Sequence, residues 1–122
     1  MAEVVTTRPH ADLARRFGGM DRLFGVPAAR RIRLAHVAVV GIGGVGSWAA
    51  EALARSGVAG LTLIDLDHVA ESNINRQVHA LDDTIGQAKV QAMRARIALI
   101  NPSCKVIGVE EFVEPDNWPA LL

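Results

Sequence analysis

The sequence predicts an α/β fold, and three stretches carry that prediction. Val37-Ala38-Val39-Val40 is a β-branched run that breaks into Gly41, Gly43, Gly44 and Gly46. From Val45 onward, apolar residues recur at three- and four-residue steps, the period of a helix. Leu61-Thr62-Leu63-Ile64-Asp65 then reads as a second strand, mostly apolar as a parallel strand buried on both faces should be. Strand, glycine turn, helix and strand make one βαβ unit with a right-handed crossover. The expected architecture is the N-terminal half of a doubly wound, mainly parallel sheet behind a helical arm.

Residues 1–35 are expected to form a tail and that arm, and 36–122 the incomplete nucleotide-binding domain. Residues 1–11 read as a loose tail. Asp12 caps a short helix to Phe17, ended by Gly18-Gly19. Met20 to Phe24 adds another turn, stopped by Gly25. Pro27 suits the first turn of a helix through Leu34. His36 to Gly41 is the first strand. Val45, Trp48, Ala49, Ala52 and Leu53 mark the buried face of the next helix, with Gly57 as its C-terminal stop. Leu66 to Thr84 is polar and irregular, and follows a parallel strand at the end of the sheet where such folds bind ligands. Gly86 to Ile100 reads as a helix with Val90, Met93, Ile97 and Ile100 inward and Lys89, Arg94 and Arg96 on its polar side. Asn101-Pro102 ends it. A third strand lies within Cys104 to Val113, and Pro115-Asp116-Asn117 opens a further helix. In a doubly wound order the first strand is central. Without the second half it becomes an exposed apolar edge, so the chain is expected to be the N-terminal piece of a longer domain.

The totals set limits. The 122 residues suffice for one small domain, and half of them are apolar. Thirteen basic and thirteen acidic side chains cancel, so no global field points to nucleic acid. The single Cys104 excludes an internal disulfide within this chain and is expected to be a small core residue. The N-terminus lacks the pattern of a signal peptide, and no apolar run is long enough to span a membrane. A cytoplasmic protein is expected.

The glycine turn is where chemistry is expected. Gly41-x-Gly43-x-x-Gly46 lets the backbone approach a phosphate, with the first N–H groups of a helix aimed at it. Asp65, at the end of the next strand, can accept from ribose hydroxyls. Arg76 and Lys89 can both reach a triphosphate over the turn, where cations stabilise a transferring phosphoryl group and a pyrophosphate leaving group. Asn73, Asn75, Arg76 and Gln77 stand where a nicotinamide enzyme would need an apolar slot.

Five motifs in order then carry a resemblance. Gly41-Ile42-Gly43-Gly44-Val45-Gly46, Leu63-Ile64-Asp65-Leu66-Asp67, Ser72-Asn73-Ile74-Asn75-Arg76-Gln77, Gly86-Gln87-Ala88-Lys89 and Ile100-Asn101-Pro102 resemble the ubiquitin-activating-enzyme-like superfamily. That resemblance implies a Rossmann-like domain, ATP with Mg2+, and attack by an acceptor carboxylate on the α-phosphate. It implies that Gly41, Gly43, Gly44 and Gly46 form the phosphate turn, and that Asp65 binds the ribose. Asn73, Arg76 and Lys89 would contact phosphates and support the transition state. It also implies a homodimer in which an N-terminal arginine reaches the partner's ATP, with Arg22 the first choice and Arg16 the second.

Arg16-Phe17-Gly18-Gly19, Arg22-Leu23-Phe24-Gly25, Ser47-Trp48-Ala49-Ala50-Glu51 and Asn75-Arg76-Gln77-Val78-His79-Ala80-Leu81 are similar to one branch, the tRNA threonylcarbamoyladenosine dehydratases. The implied substrate is tRNA carrying threonylcarbamoyladenosine, whose carboxylate is adenylated and then closes to a cyclic form. The alternatives are an adenylyltransferase for a sulfur carrier protein, with a sulfur-transfer partner, a nicotinamide oxidoreductase, and a non-catalytic fragment. A chain that stops at Leu122 is expected to bind ATP weakly and not to turn over, because the family's metal-binding aspartate and substrate loops lie in the second half.

Overall fold

The computed structural model describes residues 11–121. Apart from Ala11, the expected tail lies outside them. Three short helices, α1 (Leu13–Phe17), α2 (Gly19–Phe24) and α3 (Val26–Leu34), lead into β1 (His36–Val40). Then follow α4 (Gly46–Arg55), β2 (Gly60–Ile64), a 3-10 turn (Glu71–Asn73), α5 (Lys89–Ile100), β3 (Lys105–Val109) and α6 (Trp118–Leu121). The sheet order is β1-β2-β3, all parallel, with His36 opposite Gly60 and Gly60 opposite Lys105. This is the mixed α/β half-sheet expected, with β1 at an edge.

Every residue of β2 is buried, as the central strand must be. Leu61, Leu63, Val90, Met93 and Ile97 join Ala50 and Ala54 in the main core. Asp12 caps α1 by accepting from the Arg15 N–H at 3.1 Å. Phe17, the buried residue of α1, packs on Gly57, whose φ of +88° makes the stop after α4.

α1 ends at Gly18 as expected, and Gly19 already opens α2. Three expectations need correction. The buried face of α4 is Ser47, Ala50, Glu51 and Ala54, not the one the apolar spacing marked. Val45 is 84% exposed and Trp48 52%, Ala49 and Ala52 are exposed, and only Leu53 packs on the core. Small residues let α4 lie close on the sheet, and the larger apolar ones turn away. The helix expected from Gly86 starts at Lys89, because Gly86 is left-handed at φ +92° and Ala88 bridges to His68. Lys89 is therefore buried at the helix start rather than on a polar face.

Glu51 ties α4 to α5. It pairs with Arg55 on its own helix and with Arg96 across the gap. The Arg96 hydrogen bond, reinforced by Arg55, outweighs burial and holds the Glu51 carboxyl below the usual carboxylate range. A carboxyl lowered in the folded state stabilises at pH values above its unfolded pKa, and that stability drains as pH falls through the folded one. Glu51→Gln should therefore lower stability at neutral pH by roughly 1–2 kcal/mol. It should also flatten the loss of melting temperature below about pH 4.5 relative to the parent. Parallel acid limbs in the two melting profiles would show that Glu51 is not a source of acid sensitivity.

Candidate nucleotide site

The glycine turn opens α4 and is held in place from two sides. Gly41 takes φ +88°, and its N–H donates to the Ile64 carbonyl at 2.8 Å, so the turn leaves the ladder at the end of β1. From the β2 side, Asp65 Oδ2 accepts the Ile42 N–H at 2.7 Å and Oδ1 accepts the Asp67 N–H at 2.8 Å. Asp65 is thus a clamp on the turn, and the second lone pair of each oxygen stays available for hydroxyl donors.

The loop after β2 is stitched over the same turn. Trp48 Nε1–H donates to the Arg76 carbonyl at 2.8 Å. The Val78 N–H donates to Ser47 Oγ at 3.2 Å. His79 Nε2–H donates to the Ile42 carbonyl at 2.8 Å, leaving its buried Nδ1 as an acceptor with no partner among the described residues. Burial keeps the imidazole below the ordinary histidine range, so the ring is neutral near pH 7. Asn73 Oδ1 accepts the Ala70 N–H at 2.8 Å and shapes the 3-10 turn, which leaves its Nδ2 donor without a partner among the described residues.

Two cations and a set of open donors converge here. The Arg76 side chain crosses the turn, its Cγ and Cδ 3.9 Å from where a Cβ on Gly44 would sit. Its Nη1 rests on the Ser72 carbonyl at 2.9 Å and on Asn75 Oδ1 at 3.1 Å, and its remaining donors are open. Lys89 begins α5, its N–H donating to the Asp67 carbonyl at 3.0 Å. Lys89 is only 7% exposed, yet no carboxylate or carbonyl among the described residues pairs with its ammonium. The N–H groups of Gly43, Gly44, Val45 and Gly46 likewise have no acceptor among those residues, and no side chain caps α4. A cation without a protein partner and open helix N–H groups at one place fit an anion.

At the carboxyl ends of the strands, a cleft of about 180 Å3 runs from Gly41 past Asp65 and Asp67 to Phe112 and Val113. Phe112, 63% exposed, presents an apolar surface there beside the Asp65 carboxylate. Among the described residues, no three His, Cys, Asp or Glu side chains gather to hold a metal ion. These residues do not supply a protein ligand set for Mg2+. Cys104 precedes β3 and packs against the core, and burial pushes its thiol above the ordinary value, as an inert residue requires.

The ThiF family model matches residues 19–122. The chain belongs to the ThiF family. This ThiF-family chain is 58% identical over 102 residues to the tRNA threonylcarbamoyladenosine dehydratase of Escherichia coli (strain K12), covering 84% of this chain and 38% of that protein. It is 39% identical over 101 residues to the molybdopterin-synthase adenylyltransferase of Salmonella typhimurium, covering 83% and 41%. The crystal structure of the E. coli dehydratase in complex with ATP superposes with a TM-score of 0.84 at 56% identity, covering 88% of this chain and 44% of that one. The chain thus spans less than half the length of these relatives.

The expected set is only partly gathered. Gly41, Gly43, Gly44, Gly46, Asp65, Arg76 and Lys89 lie together, with Asn73 shaping the loop above. Arg22 lies exposed on α2, and no hydrogen bond or ion pair ties it to the turn among the described residues. Arg16 Nη1 donates to the Ile100 carbonyl at 3.0 Å, away from the turn. Sequence reasoning gave no part to Ser47 or His79 in holding the turn and read Trp48 as core. A serine and a tryptophan straight after the glycines, with a histidine in the following loop, was the available signal.

Proposed function

We propose that this chain forms the nucleotide-binding half of an ATP-dependent enzyme that adenylates the carboxylate of threonylcarbamoyladenosine in tRNA and closes it to the cyclic form. The observation that carries the reading is Lys89, a lysine with a buried stem and no counter-charge among the described residues, beside an uncapped glycine turn. The identity to dehydratases, higher than to the sulfur-carrier adenylyltransferase, supports the choice of substrate.

In this reading the turn N–H groups and Lys89 hold the phosphates, Asp65 takes the ribose, and Asn73 Nδ2 and the open Arg76 donors face the phosphates. The substrate carboxylate attacks the α-phosphate, and pyrophosphate leaves with its growing charge met by Arg76 and Lys89. The acyl-adenylate is then closed intramolecularly and AMP leaves, with net loss of water from the nucleoside. Trp48, through the Arg76 carbonyl, is a positioning residue. Mg2+ arrives with the nucleotide phosphates, and a homodimer supplies Arg22 from the second copy. Residues 1–35 are the arm and 36–122 the nucleotide-binding part, and the location is cytoplasmic; among the described residues no helix is long and apolar enough to cross a membrane.

Nucleoside mass spectrometry tests the reading. Cells lacking this gene should lose the cyclic threonylcarbamoyladenosine and accumulate the open form, and the gene should restore the cyclic form. An unchanged cyclic pool would reject the substrate. ATP–pyrophosphate exchange driven by a small carrier protein with a Gly-Gly tail would then favour the sulfur-carrier alternative.

A further inference from the structure

We propose that the cleft between α1, α4 and α5 is a groove for the phosphate backbone of an RNA, the tRNA of the reading above, on which this inference rests. The cleft holds about 490 Å3 and is lined by Arg16, Arg55, Arg96, Phe17, Leu99 and Ile100. Among the described residues no acidic side chain lines it. Among the described residues, the one carboxylate in ion-pair reach of these arginines is Glu51, which lies beneath and is only 11% exposed. Three arginines over one carboxylate leave a local charge of plus two on a chain whose total is zero.

The arginines are held ready rather than neutralised. Glu51 accepts from the Nε of both Arg55 and Arg96, so among the described residues both Nη groups of Arg55 stay open and Arg96 keeps Nη1. Arg16 is anchored through Nη1 on the Ile100 carbonyl and keeps its other donors. Guanidinium forks with ordered stems match phosphodiester oxygens two at a time. Leu99, 58% exposed in the same cleft, gives an apolar rest for a ribose edge.

The position suits a long polyanion. Arg55 closes α4 and Gly46 opens it, nine residues or about 13.5 Å apart along the axis. That separation is short enough for one RNA strand to reach from the turn to the cleft.

The test is fluorescence anisotropy with a labelled tRNA transcript across a salt series, using the full chain and two double variants. Arg16→Ala/Arg55→Ala empties the cleft of two open forks while Glu51 keeps Arg96. Arg30→Ala/Arg31→Ala removes two exposed arginines on α3 outside the cleft. The cleft variant should bind about tenfold more weakly and lower the slope of log affinity against log salt by about one to two. The α3 variant should shift neither, and the ATP-induced rise in melting temperature should be equal in all three proteins. Equal slopes in the parent and cleft variant, or an equal loss in the α3 variant, would overturn the groove. An absent ATP-induced rise beside a cleft-specific slope change would reject the adenylation reading and leave the groove standing.

Discussion

Gly46→Ala is expected to destabilise the domain more than any other change at the turn. A Cβ on Gly46 would sit 1.7 Å from the Gly41 carbonyl oxygen and 2.8 Å from its carbon. Both are backbone atoms, so no side chain can swing aside. Gly41 cannot retreat either, because its N–H is bonded to Ile64 at the end of β2. The cost should be roughly 3 kcal/mol or more. In a domain of this size that lowers the melting temperature by about 10 °C or more. Gly44→Ala is the matched contrast: its new methyl would meet only Arg76 carbons at 3.9 Å, an ordinary contact. Its melting temperature should stay within about 2 °C of the parent, since surface changes of this kind cost little. Equal melting of the two variants would show that the close approach of Gly46 to Gly41 does not hold the turn.

Lys89→Met should separate stability from nucleotide binding. Removing a partnered lysine from an interior destabilises, because it strands the partner. Lys89 has no such partner among the described residues, so methionine removes an uncompensated charge and keeps the apolar stem. The melting temperature without ligand should hold or rise. ATP affinity should fall roughly 10- to 100-fold, the loss of one charge-assisted contact to phosphate. A variant that melts well below the parent would make Lys89 a structural residue. One that keeps ATP affinity would take it out of the site.

The fold was largely legible because backbone rules are local. Gly41 and Gly57 mark turns needing positive φ, and the Leu61–Ile64 run, apolar but for Thr62, is what a buried central strand needs. Phase was less legible. Val45, Trp48 and Ala52 repeat as a core face would, yet α4 buries Ser47, Ala50 and Glu51 instead. Apolar spacing alone does not say which of two adjacent faces meets the sheet. Glu51 is buried only because Arg55 and Arg96 converge on it, and Arg96 comes from 45 residues away. The site was legible as a set of residue types but not as a network. That Asp65 clamps the turn through the Ile42 N–H, and that His79 props it through the Ile42 carbonyl, depends on long-range pairings that spacing does not encode.

Titration calorimetry of the chain with ATP and with NADH, in parallel, tests the central claim that the turn and Lys89 hold a nucleotide triphosphate. Weak but saturable binding of ATP is predicted, with at least tenfold lower affinity in Lys89→Met and no binding of NADH. Tight NADH binding with none for ATP would contradict it and return the glycine turn to the dinucleotide enzymes.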